Sequence, residues 1–443
     1  EGTNHALSLF GQEQGHHWLS YPLMPVTPRT LLLGRDDAHW SFFFNSESTW
    51  SHPAAPRASS MEGNVWKENG NGTFTSVGMI DGYSKLDQYL MGLRPADQVP
   101  DSTYILATSV PSGINRSWGP LPNITITGSK ATITASQIVQ ANGQVTPVPD
   151  GTQKKFRAAF LLIEQAGQQP TLQALTKLTR YRLAWESYFA QATDYLSTIN
   201  TGLSDSTSSR YITVTNGASY TRLVTPGAIA SIFGQGLANS STAAVGTLPT
   251  VLNGVEVKIN GTSAPLFFVG PGQINFEVPR SVAATSSFVS SIGPTSVQSA
   301  TATVEVYSSG QLIRAGAVLI APALIGTFTT TQDGNGAAAA LDAITFAGGP
   351  FNAKQANGQP NILATFVTGL GAEVTDNDGD ISGQVQATLN GQAVTVQYAG
   401  RAPGFVGLNQ VNFQLPATIT AGSYNLVITR NGFASNTSTI TIK

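Results

Sequence analysis

No cysteine occurs among the 443 residues, so a disulfide-stapled scaffold and a thiolate-ligated metal centre are excluded. Charge is scarce as well. The 23 basic and 25 acidic side chains make 11% of the chain, against roughly 25% in an ordinary soluble domain. A formal net charge of −2 offers no field for a polyanion, so composition argues against nucleic-acid binding. Long hydrophobic runs are missing too: residues 315–326 form an apolar stretch of about a dozen, interrupted by Pro322, too short to span a membrane. The chain opens Glu1-Gly-Thr-Asn rather than with Met and a basic segment, so a signal peptide is expected to be absent or already removed. What is plentiful is Gly, Ser and Thr, beside 41% apolar residues. That much apolar surface excludes disorder and suffices for about three cores. Low charge with abundant Ser, Thr, Asn and Gly points to a place outside the cell or on its surface.

The chain changes character near residue 210. All five His and all six Trp precede it, and residues 1–210 carry 31 charged side chains against 17 in 211–443. Ser204-Asp-Ser-Thr-Ser-Ser209 reads as a polar linker, within 204–211. Just before it, Thr171 is a plausible N-cap, and apolar residues from Leu172 to Ile199 recur every three or four positions. That spacing predicts an amphipathic helix of about 28 residues. Its Lys177, Arg180 and Arg182 read as a solvated face rather than an anion site.

Beyond residue 210 the pattern is β. Val255-Glu-Val-Lys-Ile259 and Ala302-Thr-Val-Glu-Val-Tyr307 alternate, and Asn260-Gly and Asn390-Gly supply hairpin turns. This half also repeats itself: Val257-Lys-Ile-Asn-Gly261 matches Ala387-Thr-Leu-Asn-Gly391, and Gln273-Ile-Asn-Phe-Glu-Val-Pro279 matches Gln410-Val-Asn-Phe-Gln-Leu-Pro416. Near-constant offsets indicate a duplicated module, and two immunoglobulin-like β-sandwiches, 212–325 and 326–443, are expected. Pro226-Gly-Ala-Ile-Ala-Ser-Ile-Phe-Gly, Asn260-Gly-Thr-Ser-Ala-Pro-Leu-Phe-Phe-Val-Gly-Pro-Gly-Gln-Ile-Asn275 and Ala402-Pro-Gly-Phe-Val-Gly-Leu-Asn-Gln-Val-Asn412 resemble the repeated C-terminal domain of exported acidobacterial proteins. The resemblance implies immunoglobulin-like appendages without catalytic residues.

Within 1–203 the sharpest motif is Phe10-Gly-Gln-Glu-Gln-Gly-His-His-Trp18. It resembles the active-site helix of zincin metallopeptidases, where His-Glu-x-x-His sets two imidazoles one turn apart around a glutamate base. The resemblance implies an α+β domain with Glu13 as base and His16 as zinc ligand; Asp87 or His39 could supply a third. Gln12 stands at the first ligand position. A neutral amide is a poor zinc ligand, and one lost ligand removes several kcal/mol of the roughly 10–16 that structural zinc sites supply. The motif starts so early that the sheet preceding this helix in zincins is expected to be missing, leaving an open edge for another chain. Ser84-Lys-Leu-Asp87 also fits a capping box, which would give Asp87 a purely structural role.

Asp376-Asn-Asp-Gly-Asp380 spaces Asp376, Asp378 and Asp380 as in a calcium loop, but Ala387 stands where the twelfth-position Glu belongs. An acidic turn between strands explains it more simply. Asn-x-Ser/Thr sequons occur at Asn71, Asn115, Asn123, Asn239, Asn260 and Asn436, so glycans are a candidate decoration. No Gly-rich phosphate loop or nucleophile elbow is present. The sequence thus points to a degenerate peptidase-like domain followed by two sandwiches, with no required cofactor, zinc and calcium as the candidate ions, no nucleic-acid partner, no membrane span and self-association through β-edges. The expected role is structural or adhesive; a secreted zinc metallopeptidase is the alternative.

Overall fold

The computed structural model describes residues 6–53, 55–146, 149–202, 210–282, 289–292, 295–298, 300–371 and 380–443. Most of the expected linker, and the acidic positions Asp376 and Asp378, lie outside the described residues. The chain divides into two compact units: Glu1–Tyr211 with Thr285–Gln298 and Arg314–Gly316, and Ile212–Ala284 with Ser299–Ile313 and Ala317–Lys443. The architecture is mostly β-sheet with few helices. Among the described residues, no helix is long and apolar enough to cross a membrane.

The first unit is mixed. Its six-stranded sheet runs Glu62–Asn64, Trp40–Asn45, Ser102–Ser109, Thr125–Ile133, Thr73–Ser76, Trp66–Glu68. Trp40-Ser-Phe-Phe-Phe is rich in aromatics that favour a pleated surface, and Trp40, Phe42 and Phe44 are fully buried. This strand lies parallel to Glu62–Asn64, with Trp40 opposite Glu62. Among the described residues, four α-helices accompany the sheet: α1 (Ala6–Gly15), α2 (Lys85–Leu90), α3 (Ala135–Asn142) and α4 (Leu172–Ala192).

Helix α4 begins where the sequence predicts, with the Thr171 hydroxyl accepting from Ala174 N–H at 3.1 Å. It ends seven residues before Ile199, because Asp194 and Tyr195 take left-handed backbone angles, φ 55 and 58, that a right-handed helix cannot contain. Only its second half is embedded: Leu183 to Ala192 are all buried, whereas Leu172 and Leu175 face solvent at 80% and 42% exposure.

In the second unit two separate cores form, one from Ile212 to Ile320 and one from Ile325 to Ile442. Their strands make largely antiparallel sheets of the β-sandwich kind, with Leu223–Val224 parallel to Leu319–Ile320 in the first copy. The duplication holds to the level of register. Ala230 pairs with Phe276 and Phe233 with Gln273; in the second copy Leu363 pairs with Phe413 and Phe366 with Gln410. Likewise Val257 faces Val306, as Ala387 faces Ile428. Both Asn-Gly turns place Asn and Gly at positive φ, 47 and 81 for Asn260-Gly261 and 48 and 80 for Asn390-Gly391. That geometry matches the right-handed twist of the flanking strands. One difference between the copies falls beside this register. Strand Gln392–Arg401 runs unbroken, pairing with both Val385–Leu389 and Asn409–Gln414. The first copy splits there into Thr262–Ser263 and Leu266–Val269, because Pro265 has no N–H to donate to the ladder.

Candidate functional site

Helix α1 carries the motif only as far as Gly15, with His16, His17 and Trp18 following in a turn, and its packing explains the position of the motif residues. Leu7, Ser8, Gly11, Gln12 and Gly15 form its buried face. A Cβ at Gly15 would lie 2.4 Å from Met61 Sδ, and one at Gly11 would lie 3.0 Å from Ser60 Oγ. Two glycines one turn apart thus let the helix backbone settle against the Ser60–Met61 segment. Tyr83 OH donates to the Gly11 carbonyl at 2.6 Å, and Phe10 meets Trp185 of α4 edge to face at 5.8 Å. Gly15→Ala should therefore push α1 away from Met61 and lower the stability of this unit by about 1–3 kcal/mol, the usual range for overpacking. Urea unfolding followed by tryptophan emission checks this, since all six Trp lie in this unit; an unchanged midpoint would refute the tight approach.

This approach gathers Gln12, His16 and His39. The His16 and His39 rings meet edge to face with centroids 4.7 Å apart, and the Gln12 amide donates to His39 Nε2 at 2.9 Å. His39 Nδ1 lies 2.9 Å from the Arg35 carbonyl. A carbonyl only accepts, so Nδ1 carries the proton and Nε2 presents a lone pair. Two residues that motif reasoning did not single out complete the cluster. The Arg35 guanidinium lies 3.1 Å from His39 Nε2 and 2.5 Å from Glu62 Oε1. Glu62 is 5% exposed and adopts φ 75, a backbone state uncommon outside glycine; the Gln12 amide also reaches its Oε1 at 3.4 Å. The hydrogen bond to Glu62 raises the Arg35 pKa above its ordinary value, against the opposing effect of burial, and Asp36 and Glu13 add to the rise. Glu13 itself is exposed.

Zinc does not fit this arrangement. The one imidazole nitrogen free to ligate at His39 already accepts from an amide and a guanidinium, and the guanidinium would place a positive charge beside the ion. Among the described residues, no group of three or more His, Asp or Glu side chains is placed to hold a metal ion. Arg35 instead supplies the cation that pairs with Glu62.

Asp87 serves a different purpose. It is fully buried and closes the capping box of α2, its Oδ2 accepting from Ser84 N–H at 2.6 Å and Ser84 Oγ at 2.7 Å. Its Oδ1 accepts the Trp40 indole N–H at 2.8 Å. The structural half of the sequence reading describes it. Asp380, the one described member of the acidic triplet, accepts from Ser382 N–H and Ala399 N–H, both at 2.8 Å, and so pins a turn to a strand. Of the sequons, Asn436 is committed internally: its amide donates to the carbonyls of Thr327 at 3.0 Å and Gly334 at 2.8 Å.

No family model matches the chain, and no curated protein matches it. Solved structures do. The SGBP-B protein of the Bacteroides ovatus mixed-linkage glucan utilization locus, in complex with a mixed-linkage heptasaccharide, is similar over 56% of this chain and 48% of its own, at 14% identity and a TM-score of 0.25. Domains 4–9 of the surface layer protein SbsC match over 55% of this chain and 32% of theirs, at 14% identity and a TM-score of 0.18. The I9–I11 tandem of titin matches over 56% and 68%, at 10% identity and a TM-score of 0.15. The chain spans about half the length, or less, of the first two, and the likeness is weak.

Proposed function

We propose that this chain is an extracellular structural or adhesive protein, a self-associating surface subunit able to build filaments, whose first unit is a peptidase-like domain without peptidase chemistry. One observation carries the reading: at the motif helix the cation beside Glu62 and His39 is the guanidinium of Arg35, at 2.5 and 3.1 Å. An exposed apolar run supports self-association. Leu161 and Ile163 stand 81% and 89% exposed in a segment with no regular secondary structure, an unusual place for two large side chains at alternate positions. The duplicated sandwiches, where charge is sparse, suit a spacer or packing role.

Metal analysis and light scattering test the two halves of this proposal. The purified chain is expected to lack stoichiometric zinc, to show no peptide hydrolysis and to form assemblies that persist with chelator. Ile163→Asp should shift those assemblies toward smaller species. Near-stoichiometric zinc with hydrolysis lost on Glu13→Gln would establish the secreted peptidase instead. Monomers at micromolar concentration would overturn the self-associating subunit.

A further inference from the structure

The second sandwich carries a connection that the first lacks. In the first copy, strands Ile212–Asn216 and Ile229–Gly234 are joined by residues 217–228; in the second, Gly326–Thr327 and Ile362–Thr368 are joined by residues 328–361. Connections longer than about 12–15 residues are uncommon in compact domains unless they serve a function. This one crosses the outer edge of strand Ser438–Ile442, touching it at Ala337 and Phe351, and walls a groove of about 660 Å3, a size usual for a binding site. Ala337, Ala339, Gly348, Phe351 and Phe366 line it, and none of its lining side chains is charged. The same groove reaches one open backbone donor. Ser438–Ile442 pairs with Gly422–Arg430 on one side. On the other, Thr439 N–H donates to the Gly336 carbonyl at 2.7 Å, and the Thr441 carbonyl accepts from Phe351 N–H at 2.9 Å. A strand residue turns its N–H and C=O to the same side, so the Thr441 N–H faces the groove between these contacts. It has no acceptor among the described residues.

A segment of matching chemistry lies in the first unit. Strand Lys155–Arg157 pairs with Thr198–Asn200, and Ala158 N–H adds a last rung to the Asn200 carbonyl at 3.0 Å. Beyond it, residues 159–164 make no backbone hydrogen bond among the described residues. Phe160 sits edge to face on Phe10 at 5.7 Å and so pins the root of the segment, whereas Leu161 and Ile163 stand exposed at alternate positions. No residue from Ala158 to Ile163 is charged.

We propose that this segment of one copy seats Leu161 and Ile163 in the groove of a second copy, where one of its carbonyls accepts the Thr441 N–H. Two observations select this occupant. The groove and the segment are both free of charge, and a charged partner would lose its hydration there without a counter-ion. The groove also asks for a backbone acceptor, and the segment is extended chain whose carbonyls are unpaired; main-chain bonds and side-chain pockets together are how strand-like peptides are recognised. The inference names the surfaces of the self-association reading, on which it rests. Because the two surfaces differ, the contact is heterologous and propagates head to tail, into a filament unless it closes as a ring.

A fluorescently labelled peptide of residues 158–165, titrated with the full chain carrying Ile163→Asp, tests the docking by anisotropy. Saturable binding is expected, and adding Gly348→Leu to the chain should weaken it about tenfold or more. A Cβ at Gly348 meets nothing within 4 Å and its φ is not left-handed, so leucine there fits the backbone and stands in the groove. Gly383→Leu, equally open but outside the groove, should leave binding unchanged. The peptide with Leu161→Asp and Ile163→Asp should not bind, a result that depends on no variant's folding. In sedimentation velocity, full chains with Ile163→Asp alone or Gly348→Leu alone should form smaller species than the wild type, and mixing the two should give dimers. An absence of peptide binding, or binding that Gly348→Leu leaves intact, overturns the docking even where the wild type assembles. A wild type that stays monomeric while the peptide binds upholds the groove and overturns the self-associating subunit instead.

Discussion

Asp87→Ala should lower the stability of the first unit by about 3–5 kcal/mol at acid pH, and by less as pH rises. The loss of a helix cap contributes about 1 kcal/mol. The Trp40 indole N–H and the Ser84 backbone N–H, both fully enclosed, each lose an acceptor, at about 1–3 kcal/mol per orphaned donor. Against this stands the carboxylate itself. Burial pushes the Asp87 pKa up, and the hydrogen bonds from Ser59, Ser84 and Trp40 only partly pull it back. A carboxyl whose folded pKa exceeds its unfolded one binds its proton more tightly in the native state. Its stabilisation is therefore complete below the unfolded pKa and is lost as pH rises through the folded one. The wild type thus gives up part of what Asp87 contributes on going from acid to neutral pH, whereas the Ala variant has nothing to give up at this position. Urea midpoints by tryptophan emission across that range should show the gap between the two narrowing. A gap that widens with pH would mean that the hydrogen bonds outweigh burial. Trp40→Phe keeps the aromatic packing but removes one of the bonds that holds the carboxyl down, so it should move the same transition to higher pH.

Of the two roles the sequence leaves open for Asp87, third zinc ligand or capping box, the second is legible because it is local: residues three apart decide it. The same holds for the Asn-Gly turns and for the Thr171 cap, where side chain and backbone partner lie within one turn. The α1 cluster is only half legible. Gln12, Glu13 and His16 share a helical spacing, but Arg35 and Glu62 arrive through tertiary structure, Glu62 by lying opposite Trp40 in a parallel pair. The one local sign of Glu62 is the Gly63 that follows it, both residues taking positive φ within the strand Glu62–Asn64. Arg182 shows the opposite failure. The three-to-four-residue period sets it on the apolar stripe of α4, but grouping it with Lys177 and Arg180 as a solvated face misses that it is partly buried and donates to the Thr201 carbonyl at 3.4 Å. The length of α4 is overestimated for a similar reason, since the hydrophobic period continues past the point where the backbone turns left-handed at Asp194.

Phe276→Ala and Phe413→Ala should each remove about 3–5 kcal/mol from the second unit, the usual range for deleting a buried aromatic ring. Both rings are fully buried, and they occupy matching registers of the duplicated sheet, opposite Ala230 and Leu363. They belong to separate cores, so the double variant should lose the sum of the two to within about 0.5 kcal/mol. Tryptophan emission should register neither change, because no Trp lies beyond residue 210; far-ultraviolet circular dichroism or amide exchange is the appropriate readout. A marked shortfall from additivity would mean that the two cores are energetically coupled. The interruption at Pro265 sharpens the comparison. Phe276 rests on a sheet whose neighbouring strand is broken, Phe413 on one whose neighbour is continuous. If strand continuity carries much of the packing, Phe413→Ala will leave a cavity into which the stiffer sheet cannot collapse, and will be the costlier of the two; equal losses would assign the stability of both copies to their shared core pattern alone.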